Sequence, residues 1–513
     1  MADNGSSPLW IDSVLQKIHK EAEAVTFELP RFPTDINYPS IFKSRHRAVA
    51  VAPMPMLSQT AAPPTQQALD HNGGAASREP AQSTECSLIV VAVGPYHCLS
   101  ELAYTQLQPP LITQAKKYAI VRLLAGLGSG LDTAGFLSWA QDQDARVRSC
   151  YEDGSFTMAS EELAELLLLD GCLLLFAIFL LSSGLCRNQR PAYLADHETA
   201  RQFRNLSADI CLNMRQTRLD LLVLGNQIPF FVLADLHRRL KDSFFQGINC
   251  SIEELALSCF DCIDLDPPLF EQGEAAGSTI RFPPVLHHLL HLFHWSRLPK
   301  GSHGLLQLYE SSSLPPVPES HLPSATRLEE WQTSLSKQAA PGSSSLHIVF
   351  RRNILGAGAV MHIPAQHIHG YSESVFRNLI AFEQRHLRCG LGVTAYCICM
   401  AWLLQAEADA KLLRERWILL AHTHKTDKEI VDLFAGLAEE YRDTIYPRDL
   451  LHLCKDVAAH HQSQVARLFK WARLQCFPTV SATFVLIFGA LISIATLVNT
   501  GYSVYGFYHP VKS

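Results

Sequence analysis

Charge is missing from one end of this 513-residue chain, since no Asp, Glu, Lys or Arg occurs between Arg473 and Lys512. Within this gap, Thr479 to Val498 reads TVSATFVLIFGALISIATLV. Its length, at about 1.5 Å per residue, is about 30 Å, the thickness of a bilayer's hydrocarbon core. The absence of charge therefore predicts one C-terminal transmembrane helix over these residues. A buried core helix is the alternative.

The residues that flank this segment predict its orientation. Arg467, Lys470 and Arg473 lie upstream, whereas Lys512 is the single cation downstream. The positive-inside rule then keeps the body of the protein in the cytosol. The first residues have neither the basic start nor the apolar run of a signal peptide. We expect a single-pass protein, at the plasma membrane, whose body faces the cytosol on the charge rule.

Several motifs of catalysis and of nucleic-acid binding are also missing. The chain has no G-x-S-x-G elbow, no H-E-x-x-H pair and no set of kinase motifs. The glycines of Gly126-Leu-Gly128-Ser-Gly130 lack the Lys-Ser/Thr of a phosphate loop, so they predict a turn. A net charge of −6 without a basic stripe argues against nucleic acid as the main partner. We therefore expect a protein that is not an enzyme and that takes no cofactor.

Cysteine is too sparse for a disulfide scaffold, with 14 residues in 513. Cys259-x-x-Cys262 has redox or zinc spacing, but no second pair accompanies it. Cys397 and Cys399 lie in an apolar run, where a reduced thiol packs as a small hydrophobe. Reduced thiols fit a cytosolic body.

What the sequence does contain is helical periodicity, which predicts a mainly α fold with a few short β-strands. The predicted domains are an N-terminal helix and extension at 1–51, a disordered Pro- and Ala-rich insertion at 52–85, a helical soluble domain at 86–473 and the anchor with a short tail at 474–513. The predicted helices are Trp10–Ala24, Ile112–Ala125, Glu161–Ser182, Thr199–Gly225, Phe230–Phe244, Ile252–Phe260, Val285–Trp295, Ser372–His386, Thr394–Thr423, Asp427–Asp443 and Pro447–Arg473.

The predicted strands are Leu88–Val93, Leu346–Phe350 and Val360–Ile363, the last two forming a hairpin around Gly356–Gly358. A second apolar stretch, Leu163–Leu185, contains Glu165 and Asp170. A carboxylate is costly at membrane depth, so this stretch predicts a buried helix of the soluble body.

Histidines are concentrated in one short segment. If this segment is helical, His287, His291 and His294 share one face and could hold a metal ion. No Cys or carboxylate lies close to them in sequence. The preferred interpretation is that they meet solvent or a neighbouring carbonyl, with no metal.

Several blocks of sequence carry a family resemblance. Phe376–Gln384 reads FRNLIAFEQ, and further blocks precede it. Together they resemble the plant-specific "domain of unknown function 247" family, also called UPF 0481-like, over roughly residues 86 to 505. Cys98 and Gly225 depart from the pattern of that family, where a His and a Glu are usual. The other blocks are Val93–His97, Leu169–Cys172, Asn226–Phe231, Ala325–Leu328 and Ile363–Pro364.

We expect the polar residues of these blocks to be structural. The amides of Asn226 and Gln227 would satisfy exposed ends of helices before Pro229. Arg377 would pair with Glu383 or Asp170 in a buried network. The block residues assigned a structural role are Gly94, Pro95, Tyr96, His97, Asp170, Gly171, Asn226, Gln227, Pro229, Phe376, Arg377, Asn378, Phe382, Glu383 and Gln384.

The resemblance implies a membrane-anchored recognition protein without catalytic activity. Some grass members of the family are male determinants of gametophytic self-incompatibility, thought to recognise small secreted stigma proteins. That role requires a body that faces outward, which conflicts with the charge rule. In that orientation the two sequons, Asn205-Leu-Ser207 and Asn249-Cys-Ser251, would be acceptors for N-glycosylation. The alternatives are a scaffold in stress or development signalling, and an enzyme of unrecognised class in which His97, Asp170 or Glu383 converge.

Overall fold

The protein is mainly helical, with short strands. The computed structural model describes residues 8–23, 89–96, 110–128, 130–151, 157–182, 192–260, 263, 282–298, 321–338, 346–353, 358–386, 389–422, 425–439, 448–463 and 480–508. The predicted insertion at 52–85 lies outside the described residues, as do His97, Cys98, Cys262 and Thr479.

The chain forms two compact units. One comprises Met1–Thr217 with Val232–Leu255, and the other Arg218–Phe231 with Ala256–Ser513. In chain order, the helices are α1 Leu9–Glu23, α2 Gln114–Ala125, α3 Thr133–Asp142, α4 Asp144–Arg148, α5 Ser160–Leu181, α6 His197–Leu212, α7 Met214–Asp220, α8 Phe230–Arg239, α9 Ile252–Phe260, α10 Leu289–Arg297, α11 Ala325–Glu330, α12 Ser372–Arg385, α13 Gly392–Leu403, α14 Glu407–Glu415, α15 Asp427–Glu439, α16 Arg448–Gln462 and α17 Val480–Tyr508. The strands are β1 Thr333–Lys337, β2 Val349–Arg352, β3 Ala359–Ile363, β4 Gln366–Ile368 and β5 Leu419–Ala421.

Helix α5 is the core of the first unit. Its leucines are buried on every side, because α2, α3 and α6 all pack against it. Phe176 and Phe179 stack against Phe203 and Phe244 in the same unit. Within the described ranges α5 alone is long and apolar enough to cross a membrane, and 83% of its most apolar window is buried. The prediction of a buried helix over Leu163–Leu185 is confirmed as far as Leu181, where the helix ends; residues 183–185 lie outside the described residues.

The amphipathic helix predicted near the start of the chain is α1. Ile11, Val14 and Ile18 fall on one face and are buried, with α2 packed against α1. Lys17 on the other face donates to Glu165 of α5 over 2.9 Å. The helical spacing of three apolar residues was sufficient to predict this element.

The second unit contains two small sheets. In the first, the strand order is β1-β3-β2, with β3 parallel to β1 and antiparallel to β2. The antiparallel pair confirms the predicted hairpin, although β2 starts at Val349 rather than Leu346. In the second sheet, β4 and β5 are parallel. Strands β1, β4 and β5 were not predicted, because strands of three to five residues give little alternation to detect.

Several sequence-based assignments are wrong in detail, among them the helix predicted over Phe230–Phe244, which ends at Arg239. Residues 89–93 belong to no strand, although the carbonyls of Ile89 and Val90 accept hydrogen bonds from the N–H groups of Leu111 and Ile112. The helix predicted over Thr199–Gly225 ends at Leu212, because the Asn213 side chain bonds to the carbonyl of Asp209 over 2.9 Å. The helix predicted over Thr394–Thr423 is α13, α14 and β5, separated by turns.

Helix α17 covers most of the predicted transmembrane segment and continues beyond it. It spans 29 residues, from Val480 to Tyr508, and so includes the aromatic residues after Val498. The side chains described in it, from Phe488 to Val504, are all exposed. These residues form an apolar helix that is shorter than a full membrane span.

Candidate functional site

The helix in the histidine-rich segment starts later than the sequence periodicity predicted. Helix α10 starts at Leu289, and His288 caps it by accepting a hydrogen bond on Nδ1 from the His291 backbone N–H over 3.2 Å. His287 therefore lies before the helix and not on a shared helical face with His291 and His294. The predicted i, i+4, i+7 arrangement of the three imidazoles is wrong.

Glu383 and His294 form a buried hydrogen-bonded pair. The Glu383 Oε1 lies 2.7 Å from Nε2 of His294, and both side chains are at most 1% exposed. The same carboxylate accepts hydrogen bonds from the backbone N–H groups of Val393 and Thr394, each over 2.9 Å, and from the Thr394 hydroxyl over 2.7 Å. These amides are in the first turn of α13, so Glu383 caps that helix from α12. One carboxylate thus joins α10, α12 and α13.

Arg377 has a different partner from the one expected. It donates to Glu373 one turn earlier in α12, over 3.0 Å, and both side chains are about half exposed. Its predicted pairing with Glu383 or Asp170 is wrong, because i and i+4 place Arg377 and Glu373 on the outer face of the helix. Gln384 is also exposed.

Asp170 is the centre of a second buried network, in the first unit. Its Oδ1 accepts from Lys117 Nζ over 2.5 Å and its Oδ2 from the Gly94 N–H over 2.8 Å. Lys117 also donates to the Ala92 carbonyl over 2.8 Å. Gly94 has φ of 84°, a conformation that strains any L side chain. Asp170 therefore fixes the glycine turn, beside buried Pro95, onto α5, where Gly171 is also buried.

The amides of Asn226 and Gln227 bond to backbone carbonyls at the end of α7, as predicted. Asn226 donates to Asp220 over 2.8 Å, and Gln227 donates to Leu221 over 2.8 Å. Gln227 Oε1 also accepts from the N–H of Leu290, in the first turn of α10. Pro229 immediately precedes α8, where its lack of an N–H costs no helical hydrogen bond.

Asn378 connects two of the family blocks. Its Oδ1 accepts from the Leu224 N–H and its Nδ2 donates to the Ser374 carbonyl, each over 2.8 Å. The FRNLIAFEQ block of α12 is therefore bonded to the turn before Asn226. Blocks that are far apart in sequence are held together by one amide.

A third buried carboxylate, Asp409, was missed by sequence reasoning. It is 1% exposed, and its Oδ1 accepts from both the N–H and the hydroxyl of Thr326. Its Oδ2 accepts from the Ala406 N–H over 3.0 Å, so it caps α14 as well as α11. The sequence did contain a signal for this contact, because Thr326 belongs to the Ala325–Leu328 block and Asp409 follows a turn at the start of a helix.

Phe382 lies among four imidazoles. The ring centroids of His288, His291, His294 and His386 are 5.0 to 5.2 Å from its own. Other aromatic residues of the blocks pack more simply. Phe376 stacks between Tyr396 and Phe434, and Tyr96 meets Tyr151 edge to face at 5.7 Å.

A histidine–cysteine cluster forms beside Phe382. One donor atom each from His287, His291 and Cys389 lies within 4.8 Å of the others. The Cys389 Sγ is 3.6 Å from Nε2 of His291. A tetrahedral zinc ion bound to one sulfur and one nitrogen separates those two atoms by about 3.5 Å. His294 is not part of this cluster, because it is bonded to Glu383.

The protonation states of this cluster, in which His287 is exposed, His291 buried and Cys389 half-buried, follow from partial loss of solvent. Burial lowers the pKa of His287, and it raises the pKa of the Cys389 thiol to about 11, helped by the nearby charge of Glu383. At neutral pH the imidazole is therefore neutral and the thiol protonated. Binding of a divalent cation would displace the thiol proton to solvent, and the resulting thiolate would complete the ligand set. Cys389 was missed because it is about a hundred residues from the histidines in sequence.

Each buried carboxylate of the blocks thus has its own set of partners. Asp170 bonds within the first unit, to Lys117 and Gly94, and Glu383 bonds within the second, to His294 and the start of α13. His97, the third residue of the hypothetical catalytic set, lies outside the described residues. The described contacts of Asp170 and Glu383 are those of residues that bind helices together.

Comparison with known proteins agrees with the sequence blocks. A family model described as a plant protein of unknown function, DUF247, matches residues 83–495. The UPF0481 protein At3g47200 of Arabidopsis thaliana is 24% identical over 379 residues, which are 71% of this chain and 70% of that protein. The putative UPF0481 protein At3g02645 of the same plant is 29% identical over 83 residues, 16% of each chain. No solved structure matches.

The match of the family model extends over most of the chain and includes the buried carboxylates, the bridging amides and the histidine–cysteine cluster. This protein belongs to the DUF247 family of plant proteins of unknown function.

Proposed function

We propose that this protein is a membrane-anchored plant recognition protein, held in a bilayer by α17 and binding a protein partner with its helical body. The observation that carries the proposal is the exposed apolar surface of α17. Its exposed large side chains are Phe488, Leu491, Ile492, Ile494, Leu497, Val498, Tyr502 and Val504, each at least 52% exposed. Apolar area left in water costs about 25 cal/mol per Å², and a lipid environment removes that cost.

The length of α17 supports the same proposal. Its 29 residues extend about 44 Å, more than the roughly 30 Å of a bilayer's hydrocarbon core, and the apolar part described within it is Phe488–Val504. Hydroxyls along it, such as those of Ser493 and Thr496, donate to carbonyls four residues earlier, at 2.8 and 2.7 Å. Those polar groups are therefore satisfied within the helix, as a lipid environment requires.

Membrane extraction tests the anchor. We expect the full chain to remain with membranes through an alkaline carbonate wash and to float with lipid on a density gradient. A variant with Leu491→Arg and Ile494→Arg should be released, since each arginine near a helix centre costs about 2.5–3.5 kcal/mol. Leu9→Arg, on exposed Leu9 of α1, is the matched control and should stay with the membrane. Release of the unmodified chain would disprove the anchor.

The family blocks of the helical body form internal contacts, and this supports a recognition role. Asp170, Glu383 and Asp409 are buried and join helices and turns. Such internal bonds hold a framework while leaving its exposed residues free to differ between proteins. The self-incompatibility role implied by the family resemblance needs this combination, a constant framework with a variable surface that selects a small secreted stigma protein.

Binding tests this specific role. The full chain in detergent would be titrated with the small secreted pistil proteins of several alleles. Discrimination between alleles is the expected result. Equal binding to all of them, or none, would remove the self-incompatibility role while leaving the membrane anchor intact.

A scaffold with cytosolic partners is the second candidate, and two observations favour it. The basic residues Arg467, Lys470 and Arg473 flank α17 on the side of the body. In addition, none of the nine cysteines in the described part of the chain forms a disulfide there. Reduced cysteines are typical of the cytosol.

Glycosylation distinguishes these two candidates. Asn249 of the sequon Asn249-Cys-Ser251 is exposed, so an exported body would accept a glycan there. A mass shift removed by glycosidase and abolished in Asn249→Gln would place the body outside and favour recognition of a secreted protein. An unglycosylated chain that external protease leaves intact in sealed cells would favour the cytosolic scaffold.

A further inference from the structure

A second group of histidines lies where the two parallel strands β4 and β5 end. His367 is in β4 and His369 follows it, whereas His422 follows β5. The strands are in register, with Ile368 opposite Ala421, and the His422 N–H donates to the Ile368 carbonyl over 3.0 Å. The backbone pairing therefore extends to His422 and fixes where all three residues lie.

The alternation of the strand puts two of these imidazoles on one face. Ile368 between them is fully buried, while His367 and His369 are half-buried and His422 is exposed. Residues two apart in a strand point to the same side. A His-x-His pair on one strand thus meets a single histidine from the neighbouring strand, on the side away from the core.

The three rings are close and nearly parallel. The centroid of the His422 ring is 4.8 Å from that of His367 and 4.6 Å from that of His369, with interplanar angles of 6° and 9°. Nδ1 of His367 and Nε2 of His422 are hydrogen-bonded to each other. One ring nitrogen from each residue lies within 4.8 Å of the other two.

This geometry is close to that of a three-histidine metal site. Zn–N bonds of about 2.0–2.1 Å place tetrahedral nitrogen ligands about 3.3 Å apart. Strand pairing fixes the backbones, so the stacked rings would have to rotate about their side-chain bonds for the three nitrogens to converge from within 4.8 Å of one another to that separation. The hydrogen bond between two imidazole nitrogens also requires one of them to carry no proton, so a lone pair is already directed into the group.

We propose that His367, His369 and His422 form a zinc-binding site at the edge of the β4–β5 sheet. Zinc suits three neutral imidazoles, and a site with three protein ligands keeps a fourth position for water or for a group from a partner. When zinc binds, it takes the place of the proton shared by His367 and His422, and that proton moves to the other nitrogen of the ring that carries it, so both imidazoles stay neutral. The proposal does not depend on the membrane anchor or on the recognition role.

The histidine–cysteine cluster of His287, His291 and Cys389 could also take zinc, so the experiment must separate the two sites. The full chain in mild detergent would be freed of metal by chelation and titrated with zinc and with cobalt(II). The variants are His369→Ala and His422→Ala, with His367→Gln as an additional variant in case either fails to fold. Cys389→Ser reports on the other cluster, and His452→Ala, at an exposed histidine of α16, is the matched control.

We expect the wild-type chain and the His452→Ala and Cys389→Ser variants to bind zinc equally at this site and to gain thermal stability from it. Each ligand variant should lose more than the roughly 10–100-fold in affinity that loss of an outer-shell partner costs. The cobalt complex of Cys389→Ser should show ligand-field bands that disappear in His369→Ala. The proposal is overturned if correctly folded His369→Ala and His422→Ala retain wild-type zinc affinity, or if all bound cobalt shows thiolate charge transfer and is lost in Cys389→Ser.

Discussion

Asp170 and Glu383 are both buried carboxylates on long helices, but their surroundings differ. Asp170, in α5 of the first unit, faces the ammonium of Lys117 and one backbone N–H. Glu383, in α12 of the second unit, faces an imidazole, two backbone N–H groups and a hydroxyl. The first carboxylate depends on one permanent cation, while the second is satisfied mainly by the end of a helix.

The difference shows two ways in which a buried negative charge can be stabilised. A single ion pair is sensitive to loss of its partner, because the remaining charge is left in a medium of low polarity. When several hydrogen bonds stabilise the carboxylate, each contributes a part, and loss of one leaves the others in place. The first unit should therefore be the more sensitive to a single substitution.

Removal of the cation should have the largest effect. Lys117→Met keeps the length of the side chain but leaves Asp170 without its counter-charge. We expect the first unit to lose about 3–5 kcal/mol of stability, measured by hydrogen exchange of the α5 amides. Lys116→Met, which breaks the partly exposed pair with Asp209, is the control and should cost about 1 kcal/mol or less. Similar losses for both variants would show that Asp170 does not depend on its cation.

Glu383→Gln should cause a smaller loss of stability than Lys117→Met. The amide has nearly the same shape, but its NH₂ group cannot accept the hydrogen bonds from Val393 or Thr394. We expect about 2–3 kcal/mol less stability, seen as faster exchange of amides in the first turn of α13. Glu373→Gln, on the exposed face of the same helix, should cost less than about 0.5 kcal/mol. Equal effects of the two variants would refute the capping role of Glu383.

Acidification should destabilise the second unit through His288. Burial, with neighbouring imidazoles, holds the pKa of His288 well below its usual range, so the unfolded chain binds a proton that the folded chain resists. The contribution of His288 to the free energy of unfolding is unchanged above about pH 6.5 and decreases as the pH falls below that value. His288→Asn keeps a side chain able to cap α10 and should flatten this pH dependence of hydrogen exchange between pH 7 and 5. An unchanged slope would assign the effect to other groups.

The smallest effect is expected at Arg377, although it belongs to the block that best marks the family. Its pairing with Glu373 is half exposed, and such pairs contribute about 0.5 kcal/mol or less. Arg377→Ala should leave exchange in α12 and α13 almost unchanged. A loss close to that of Glu383→Gln would mean that Arg377 supports the buried network after all.

The sequence predicted the parts of the fold that have a strong local pattern. The apolar spacing of α1 and the carboxylates within the leucine-rich α5 were enough to identify an amphipathic and a buried helix. The amides of Asn226 and Gln227 were also placed correctly at helix ends, because the following Pro229 limits where helices can stop and start.

What could not be predicted depends on contacts between distant residues. The partner of Glu383 is His294, 89 positions away, and not the nearby Arg377. Cys389 joins His291 only because α10 and α12 pack together. Strands β4 and β5 are three residues each and pair across some fifty residues, so neither has a signal of its own. Local periodicity carries no information about these pairings.

The central claim, that the polar residues of the family blocks bind the framework together, is tested most directly by a double-mutant cycle on Asp170 and Lys117. Asp170→Asn keeps an acceptor for the Gly94 N–H, and Lys117→Met removes the cation. Measured by hydrogen exchange of α5, the double variant should be more stable than the sum of the single losses predicts, with a coupling of about 2–3 kcal/mol. Additive losses, within about 0.5 kcal/mol, would contradict the claim.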